Sequence, residues 1–192
     1  MCNICIILMD DTNDKTINYF NNAFKSINNC CIKYIKYNEP NLIKYLKINK
    51  IDAIILSGSS KRVLEKGSPT LPHKIVKLSI PILALCYGFE WIAKIVGGNV
   101  ATFKDQKLHK YNKFLKLDEP FKVPLKKYAF NHHDYIQKLP SHWNQYIVHE
   151  DQIWVAYDKQ SKILGLQFHP EEHKASSTAF YTRWVAWLKE NM

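Results

Sequence analysis

The chain has 192 residues, of which 46% are hydrophobic and 13% aromatic, and its formal net charge is +10. This length and composition exclude a disordered chain and predict a single domain over residues 1–192 with a sizeable core. No segment approaches the roughly 20 consecutive apolar residues of a membrane helix, and no basic segment of a secretory signal opens the sequence. We therefore predict a cytoplasmic protein that does not contact a membrane. The lysines are spread along the whole sequence instead of clustering with stacking aromatic residues, which argues against nucleic-acid binding.

The first half of the sequence alternates predicted strands and helices. Residues 2–9 form a near-continuous apolar run, and the polar residues 10–13 that follow suit a turn and a helix cap. Apolar residues then recur at spacings of three and four between Ile17 and Ile27, which predicts a helix. Alternation around residues 32–34 predicts a strand, and a second helix is expected over residues 40–49.

Two further apolar runs have the character of central parallel strands. Residues 51–56 stop at the polar segment 57–60, and residues 81–85 stop at Cys86. Helical spacing returns after Cys86 and ends at the pair Gly97 and Gly98, which suits a helix C-terminus. The alternation of strands and helices predicts an α/β fold with a doubly wound, mostly parallel central sheet flanked by helices.

The second half gives weaker signals. Short β-like pieces separated by proline-containing turns predict a β-rich portion over residues 100–157. A strand over residues 163–168 leads into His169, and an amphipathic aromatic helix over residues 178–189 closes the chain.

Cys86 and His169 are the candidate catalytic pair. Each follows a buried strand of the predicted sheet, and the carboxyl edge of such a sheet is where active sites collect. The helix that begins after Cys86 directs its N-terminus at the sulfur, which favours the thiolate, and Gly88 permits a tight turn. Glu171, held by a proline, can accept the second imidazole N–H of His169 and fix its tautomer. The alternatives are a small buried thiol and an exposed histidine at a strand end.

The segments around these residues resemble class I glutamine amidotransferases. Residues 85–98 (LCYGFEWIAKIVGG) resemble the nucleophile elbow and residues 165–173 (GLQFHPEEH) the His-Pro-Glu motif, with the order and the separation of roughly 80 residues of the family. The resemblance covers nearly the whole chain and implies a flavodoxin-like fold with Cys86 as nucleophile, His169 as base and Glu171 as its orienting carboxylate. It also implies hydrolysis of glutamine to glutamate and ammonia, with the ammonia passed to a synthetase partner.

Other segments extend the resemblance. Residues 55–60 (ILSGSS) correspond to the family's oxyanion strand, so backbone N–H groups of Gly58, Ser59 and Tyr87 are the candidate oxyanion donors. Residues 131–140 (NHHDYIQKLP) resemble the Ser-His-x-Asp segment of the stand-alone glutaminase subunit of GMP synthases, which would place the reaction in purine biosynthesis. His132 and Asp134 are therefore either docking and substrate-binding residues or part of a surface turn that Asp134 caps.

Three positions depart from the family pattern. Ser59 and Ser60 stand where a glycine and a proline are usual, so a positive φ there would be strained. Glu90 replaces the usual glutamine, and we expect Glu90 and Gly88 near the substrate, where a carboxylate opposes thiolate formation unless it is protonated or paired with the substrate's ammonium group. Lys174 replaces a histidine for which the neighbouring His173 is a candidate substitute.

The leading hypothesis is a glutaminase that works with a separate ATP-pyrophosphatase synthetase, since the sequence has no P-loop. The Cys-x-Gly-Phe-Glu segment also resembles γ-glutamyl hydrolases, so the alternative substrate is a γ-glutamyl peptide. A non-enzymatic binding module, with a decayed pocket, is the third interpretation.

No metal or cofactor is predicted. The histidines are scattered, and the adjacent pair at 132 and 133 lacks further ligands. The cysteines are an odd number without metal-ligand spacing, and we expect them to be reduced. They are Cys2, Cys5, Cys30, Cys31 and Cys86.

Overall fold

The computed structural model describes residues 2–11 and 14–191. The predicted cap residues Thr12 and Asn13 lie outside these ranges. The first seven helices and strands are β1 (Cys2–Leu8), α1 (Asp14–Phe24), β2 (Cys30–Lys36), α2 (Leu42–Ile48), β3 (Ala53–Leu56), β4 (Ile82–Leu85) and α3 (Tyr87–Ile95). The remaining ones are β5 (Asn99–Thr102), β6 (His109–Leu117), β7 (Val123–His132), β8 (Asp134–Lys138), β9 (Asn144–His149), β10 (Gln152–Asp158), β11 (Ile163–Leu166) and α4 (Lys174–Asn191).

The described strands build a central sheet of seven strands in the order β2-β1-β3-β4-β11-β10-β9. The pairs from β2 to β11 are parallel, and β10 and β9 continue the sheet antiparallel. The pairs β5–β8 and β6–β7 form two small antiparallel sheets. The predicted α/β fold with a mostly parallel central sheet and a small β-rich portion is confirmed.

The central strands are continuous apolar runs because helices cover both faces of the sheet. Along β1, Ile4 and Ile6 enter the core beneath α1 and α4, while Cys5 and Ile7 enter the core beneath α2 and α3. Residues of α4 at spacings of three and four, including Tyr181, Trp184 and Leu188, contribute to the first core. In the part of the chain that the structure describes, no helix combines the length and apolarity needed to cross a membrane.

Several predicted boundaries need correction. α1 ends at Phe24 rather than near Ile27, α2 spans Leu42–Ile48 rather than residues 40–49, and β3 begins at Ala53 rather than at residue 51. β11 ends at Leu166, two residues early, because the backbone N–H of Gln167 donates to Trp154 at 2.9 Å and that of His169 to Ala129 at 2.8 Å. The chain there leaves β4 and pairs with other strands. The closing helix begins one turn before the predicted Thr178, at Lys174.

Candidate active site

Cys86 occupies a sharp turn between β4 and α3. Its backbone has φ 48° and ψ −110°, a conformation that costs a non-glycine residue about 1–3 kcal/mol and persists where surrounding structure enforces it. The N–H of Cys86 donates to the carbonyl of Leu166 at 2.7 Å, which anchors the turn to β11. The side chain is thereby presented beyond the carboxyl end of β4, as the sequence predicts for an elbow.

Gly88 has a packing role at this turn. A Cβ atom there would lie 2.7 Å from Cβ and 2.8 Å from the carbonyl oxygen of Leu56, so α3 approaches β3 too closely for any side chain. Gly88 is absent from the residues that line the cavity at Cys86. The structure thus gives Gly88 a packing role, and its place near the substrate stays a prediction.

His169 and Glu171 lie buried beside Cys86. The Nδ1–H of His169 donates to Oε1 of Glu171 at 2.8 Å, which leaves Nε2 free to accept a proton. Cys86 and His169 are hydrogen-bonded through their side chains. Gly58 supports the imidazole, because a Cβ atom at this position would lie only 2.7 Å from Cε1 of His169. These contacts bring the three predicted catalytic residues together in one chain of hydrogen bonds.

The sulfur and the imidazole shift each other's pKa. Burial raises the pKa of the Cys86 thiol, although the charge and hydrogen bond of His169 and the backbone N–H of Tyr87 oppose the rise. Burial opposes the charged form of His169, but Glu171 and Cys86 outweigh it and raise the His169 pKa well above its ordinary value. The backbone N–H at the start of α3 lowers the Cys86 pKa, the direction expected from the sequence, but burial outweighs it, so ionisation of Cys86 depends on a charged His169.

A cavity of about 140 Å³ adjoins the sulfur. It is lined by the start of α3, with Cys86, Tyr87 and Glu90, by the loop after β3, and by residues 131–134. A second cavity of about 280 Å³ reaches His169 and Glu171 from the side of Asp10 and α1, and it shares Ser59 and Asn131 with the first. The three predicted catalytic residues therefore border two cavities, one on each side of the loop that follows β3.

Glu90 is buried in this cavity as a neutral acid. Burial, opposed by a hydrogen bond from Gln167, raises the pKa of its carboxyl group to about 8. The Nε2–H of Gln167 donates to Oε1 of Glu90 at 2.8 Å, and Oε1 of Gln167 is buried without a partner among the described residues. A proton on Glu90 provides a donor for such an oxygen. Of the two conditions left open by the sequence, protonation or pairing with the substrate's ammonium group, the raised pKa favours protonation at neutral pH.

Two of the three predicted oxyanion donors, Tyr87 and Ser59, lie near the sulfur, while Gly58 lies against His169. The N–H of Tyr87 is hydrogen-bonded to Cys86, and Ser59 lines the cavity. The expected backbone strain at Ser59 and Ser60 is wrong, since neither has a positive φ. Ser59 instead accepts the N–H of Lys61 through Oγ at 3.1 Å, and the N–H of Ser60 donates to Asp10 at 2.6 Å. Side-chain oxygens hold this loop where family members use glycine and proline.

His132 and Asp134 are buried, so the interpretation as a surface turn is wrong. Nδ1–H of His132 donates to the carbonyl of Asp134 at 2.8 Å, and burial lowers the His132 pKa to about 4. Oδ1 of Asp134 accepts a hydrogen bond from the hydroxyl of Thr102 at 2.7 Å and lies 3.4 Å from Nη2 of Arg62. Both residues line the cavity, and the hydrogen bond between them fixes their relative positions.

Sequence reasoning missed Arg62 and Asn131. Arg62 lines the cavity and is bonded to Thr102 at 2.7 Å. The carbonyl oxygen of Asn131 lies 3.6 Å from Sγ of Cys86 and accepts its thiol. Nothing in the sequence distinguishes this asparagine from its neighbours, because the contact is made by backbone. His173, the candidate substitute for the histidine replaced at Lys174, pairs with Oδ1 of Asn112 at 2.7 Å.

Comparison with known proteins places this site in a family. The family model "Glutamine amidotransferase class-I" matches residues 8–186. GMP synthase [glutamine-hydrolyzing] of Borreliella burgdorferi strain N40 is 37% identical over 143 residues, which cover 72% of this chain and 28% of that protein. The Pyrobaculum aerophilum enzyme of the same name is 34% identical over 140 residues, which cover 72% of this chain and 27% of that protein. The chain thus matches less than a third of the length of these curated relatives.

Solved structures share the fold. A Thermoplasma acidophilum protein ascribed to GMP synthase superposes with a TM-score of 0.74 at 20% identity, covering 100% of this chain and 96% of that one. A glutamine amidotransferase of Thermotoga maritima superposes with a TM-score of 0.62 at 18% identity, covering 99% of this chain and 83% of that one. At the level of the family, the predicted cysteine-dependent amidotransferase is confirmed, and the chain belongs to the class-I glutamine amidotransferases.

Proposed function

We propose that the chain is a glutaminase that hydrolyses the side-chain amide of glutamine at Cys86 and supplies ammonia to a GMP synthase-type synthetase. The observation that carries this proposal is the hydrogen-bonded series from Glu171 through His169 to Cys86. It stands at a strained strand-to-helix turn beside a small cavity. The names of the relatives, which are glutamine-hydrolysing GMP synthases, support the choice of amide donor and partner.

The first half of the reaction forms a thioester. The Cys86 thiol gives its proton to Nε2 of His169, and the thiolate attacks the amide carbon of glutamine. N–H groups of Tyr87 and of the Gly58–Ser59 turn are the donors for the oxyanion, and loss of one such donor typically costs about 100- to 1000-fold in rate. The C–N bond then breaks as His169 protonates the departing nitrogen, which leaves as ammonia.

The second half restores the enzyme. His169 takes a proton from a water molecule, the resulting nucleophile attacks the γ-glutamyl thioester, and the C–S bond breaks. His169 returns the proton to the sulfur, and glutamate leaves. Glu171 keeps the imidazole in the required tautomer and stabilises its charged form in both halves.

A γ-glutamyl peptide is a second candidate substrate, and Glu90 is the observation that favours it. Its carboxyl group lines the cavity where most relatives of this fold are expected to carry an amide, and it can pair with a cationic group of a substrate once ionised. The small cavity at the sulfur, of about 140 Å³, favours glutamine over the larger γ-glutamyl peptide.

Ammonia release tests the proposal. Wild type and Cys86→Ala are assayed with glutamine and with γ-glutamyl dipeptides, with and without a GMP synthase-type synthetase. We expect Cys86-dependent release from glutamine that the synthetase stimulates. Absence of Cys86-dependent turnover in every condition refutes the glutaminase, and turnover of γ-glutamyl dipeptides alone favours the second candidate.

A further inference from the structure

The β6–β7 hairpin and the loop before it carry a concentration of positive charge that the proposed chemistry does not use. Residues 104–127 contain eight lysines, three acidic residues and no arginine, so the net charge of this segment is +5, half of the charge of the whole chain. The sequence alone suggested an even spread of lysines and did not reveal this cluster, because the hairpin brings lysines together that are separated along the chain.

One face of the hairpin combines these lysines with exposed apolar side chains. Phe114 lies opposite Lys127 in the antiparallel pair, and side chains two positions apart on a strand share a face. Phe114 and Leu125 are 67% and 61% exposed. We define the outer face of the hairpin as Lys110, Phe114, Lys116, Leu125 and Lys127. This outer face has an apolar centre and a basic rim. The acidic Asp118 lies at the rim, where its carboxylate pairs with Lys116 at 2.8 Å.

The same hairpin is bonded directly to the catalytic residues. The carbonyl of Ala129 on β7 accepts the N–H of His169 at 2.8 Å, and the carbonyl of Asn131 accepts the Cys86 thiol at 3.6 Å. Asn131 lies opposite Lys110, so its side chain extends the outer face into the catalytic cavity. Its Oδ1 is buried there without a partner among the described residues.

We propose that the outer face of the hairpin is the docking surface for an acidic protein partner. The partner is the synthetase of the proposed function, on which this inference rests. A partner on this face lies against the hairpin that borders the catalytic cavity, because the β7 backbone contacts both His169 and Cys86.

The chemistry of the outer face favours a protein over a nucleic acid. An apolar centre surrounded by charge is the usual arrangement of a protein interface, and complementary charge accelerates association. Single-stranded nucleic acids are bound through several stacking aromatic side chains and arginines. The outer face offers Phe114 alone for stacking and has no arginine.

Site-specific crosslinking in the host cell identifies the partner. Phe114 is replaced by the photoreactive benzoylphenylalanine, and the matched control carries the same residue at Ile48 on α2, which is also 67% exposed. Mass spectrometry of the adducts is expected to show an acidic synthetase at position 114 and not at position 48. Crosslinks to RNA, equal crosslinking at both positions, or no protein adduct at position 114 overturns the proposal.

The purified partner then tests the link to catalysis. The variant Lys110→Glu, Lys116→Glu, Lys127→Glu is compared with Lys25→Glu, Lys44→Glu, Lys47→Glu, which changes charge equally at exposed sites elsewhere. We expect the first variant to bind about ten-fold or more weakly and to lose stimulated ammonia release, while its release without partner stays at the wild-type level. Equal effects of both variants refute the docking surface.

The outcomes also separate this inference from the proposed function. If binding follows the outer face but no Cys86-dependent ammonia release occurs, the glutaminase fails and the docking surface stands. If release is stimulated equally in all variants, the glutaminase stands and the docking surface fails.

Discussion

Replacement of Glu90 by glutamine tests the electrostatics of the cavity with little change in shape. The variant amide can accept the Nε2–H of Gln167, as Glu90 does at 2.8 Å, and can donate to the Oε1 of Gln167 that has no partner among the described residues. The substitution therefore removes an ionisable proton from a buried group and preserves its hydrogen bonds. Any change in the pH dependence of stability is then attributable to the carboxyl group.

The magnitude follows from the shift in pKa. Burial raises the Glu90 pKa from 4.5 to about 8, so the folded chain holds a proton that the unfolded chain releases between these values. Each pH unit in this range lowers the wild-type free energy of unfolding relative to the variant by about 1.4 kcal/mol. The difference is about 3 kcal/mol at pH 7 and at most about 5 kcal/mol above pH 8, where it stops growing. Below pH 4.5 it vanishes.

Urea unfolding of wild type and Glu90→Gln at a series of pH values measures this difference. The two free energies of unfolding should converge at acidic pH and separate as the pH rises, with the variant more stable. The same pair should differ in kcat/KM for glutamine, which falls above pH 8 in wild type because ionised Glu90 opposes the Cys86 thiolate. Parallel stability curves across the whole range would refute a buried, neutral Glu90.

Three further substitutions examine neighbouring contacts. Gly58→Ala places a methyl group against the His169 ring and should lower kcat about 100-fold or more with an unchanged circular dichroism spectrum, whereas near-normal kcat would show that the imidazole does not need this contact. Glu171→Gln should lower kcat by about 100- to 10,000-fold with a small change in KM, since the amide no longer stabilises charged His169; a large rise in KM alone would contradict this. The wild-type free energy of unfolding should fall by about 3 kcal/mol between pH 6.5 and 4, because the unfolded His132 binds a proton in this range and the buried one does not. His132→Gln should abolish this loss of stability. Retention of that loss in urea unfolding of the variant would assign it to another group.

The sequence predicted the fold well where burial is continuous. The apolar runs at residues 51–56 and 81–85 became β3 and β4 at the centre of the sheet, since strands covered on both faces need apolar residues at every position. The boundary of β11 depends on distant partners. β11 ends early because Trp154 and Ala129 accept the N–H groups that follow it, and such contacts leave no local signal.

The site was predicted where its chemistry has a local pattern. Cys86, His169 and Glu171 each stand in a motif at a strand end, and the structure brings them together. The sequence leaves Asp134 open between a binding residue and a turn residue, because aspartate commonly caps turns. Its burial depends on Arg62, 72 residues away in sequence, and on Thr102, 32 residues away. Pairing over such separations is set by the fold, so a single sequence could not reveal it.

The central proposal is that glutamine passes through a covalent γ-glutamyl adduct on one sulfur. Rapid acid quench of wild type mixed with glutamine, followed by mass spectrometry of the peptide that contains Cys86, measures this adduct directly. We predict a γ-glutamyl group on Cys86 that accumulates within one turnover, decays as glutamate forms, and is absent in Cys86→Ala. Ammonia release from glutamine without any adduct, at a rate that Cys86→Ala retains, would contradict the mechanism.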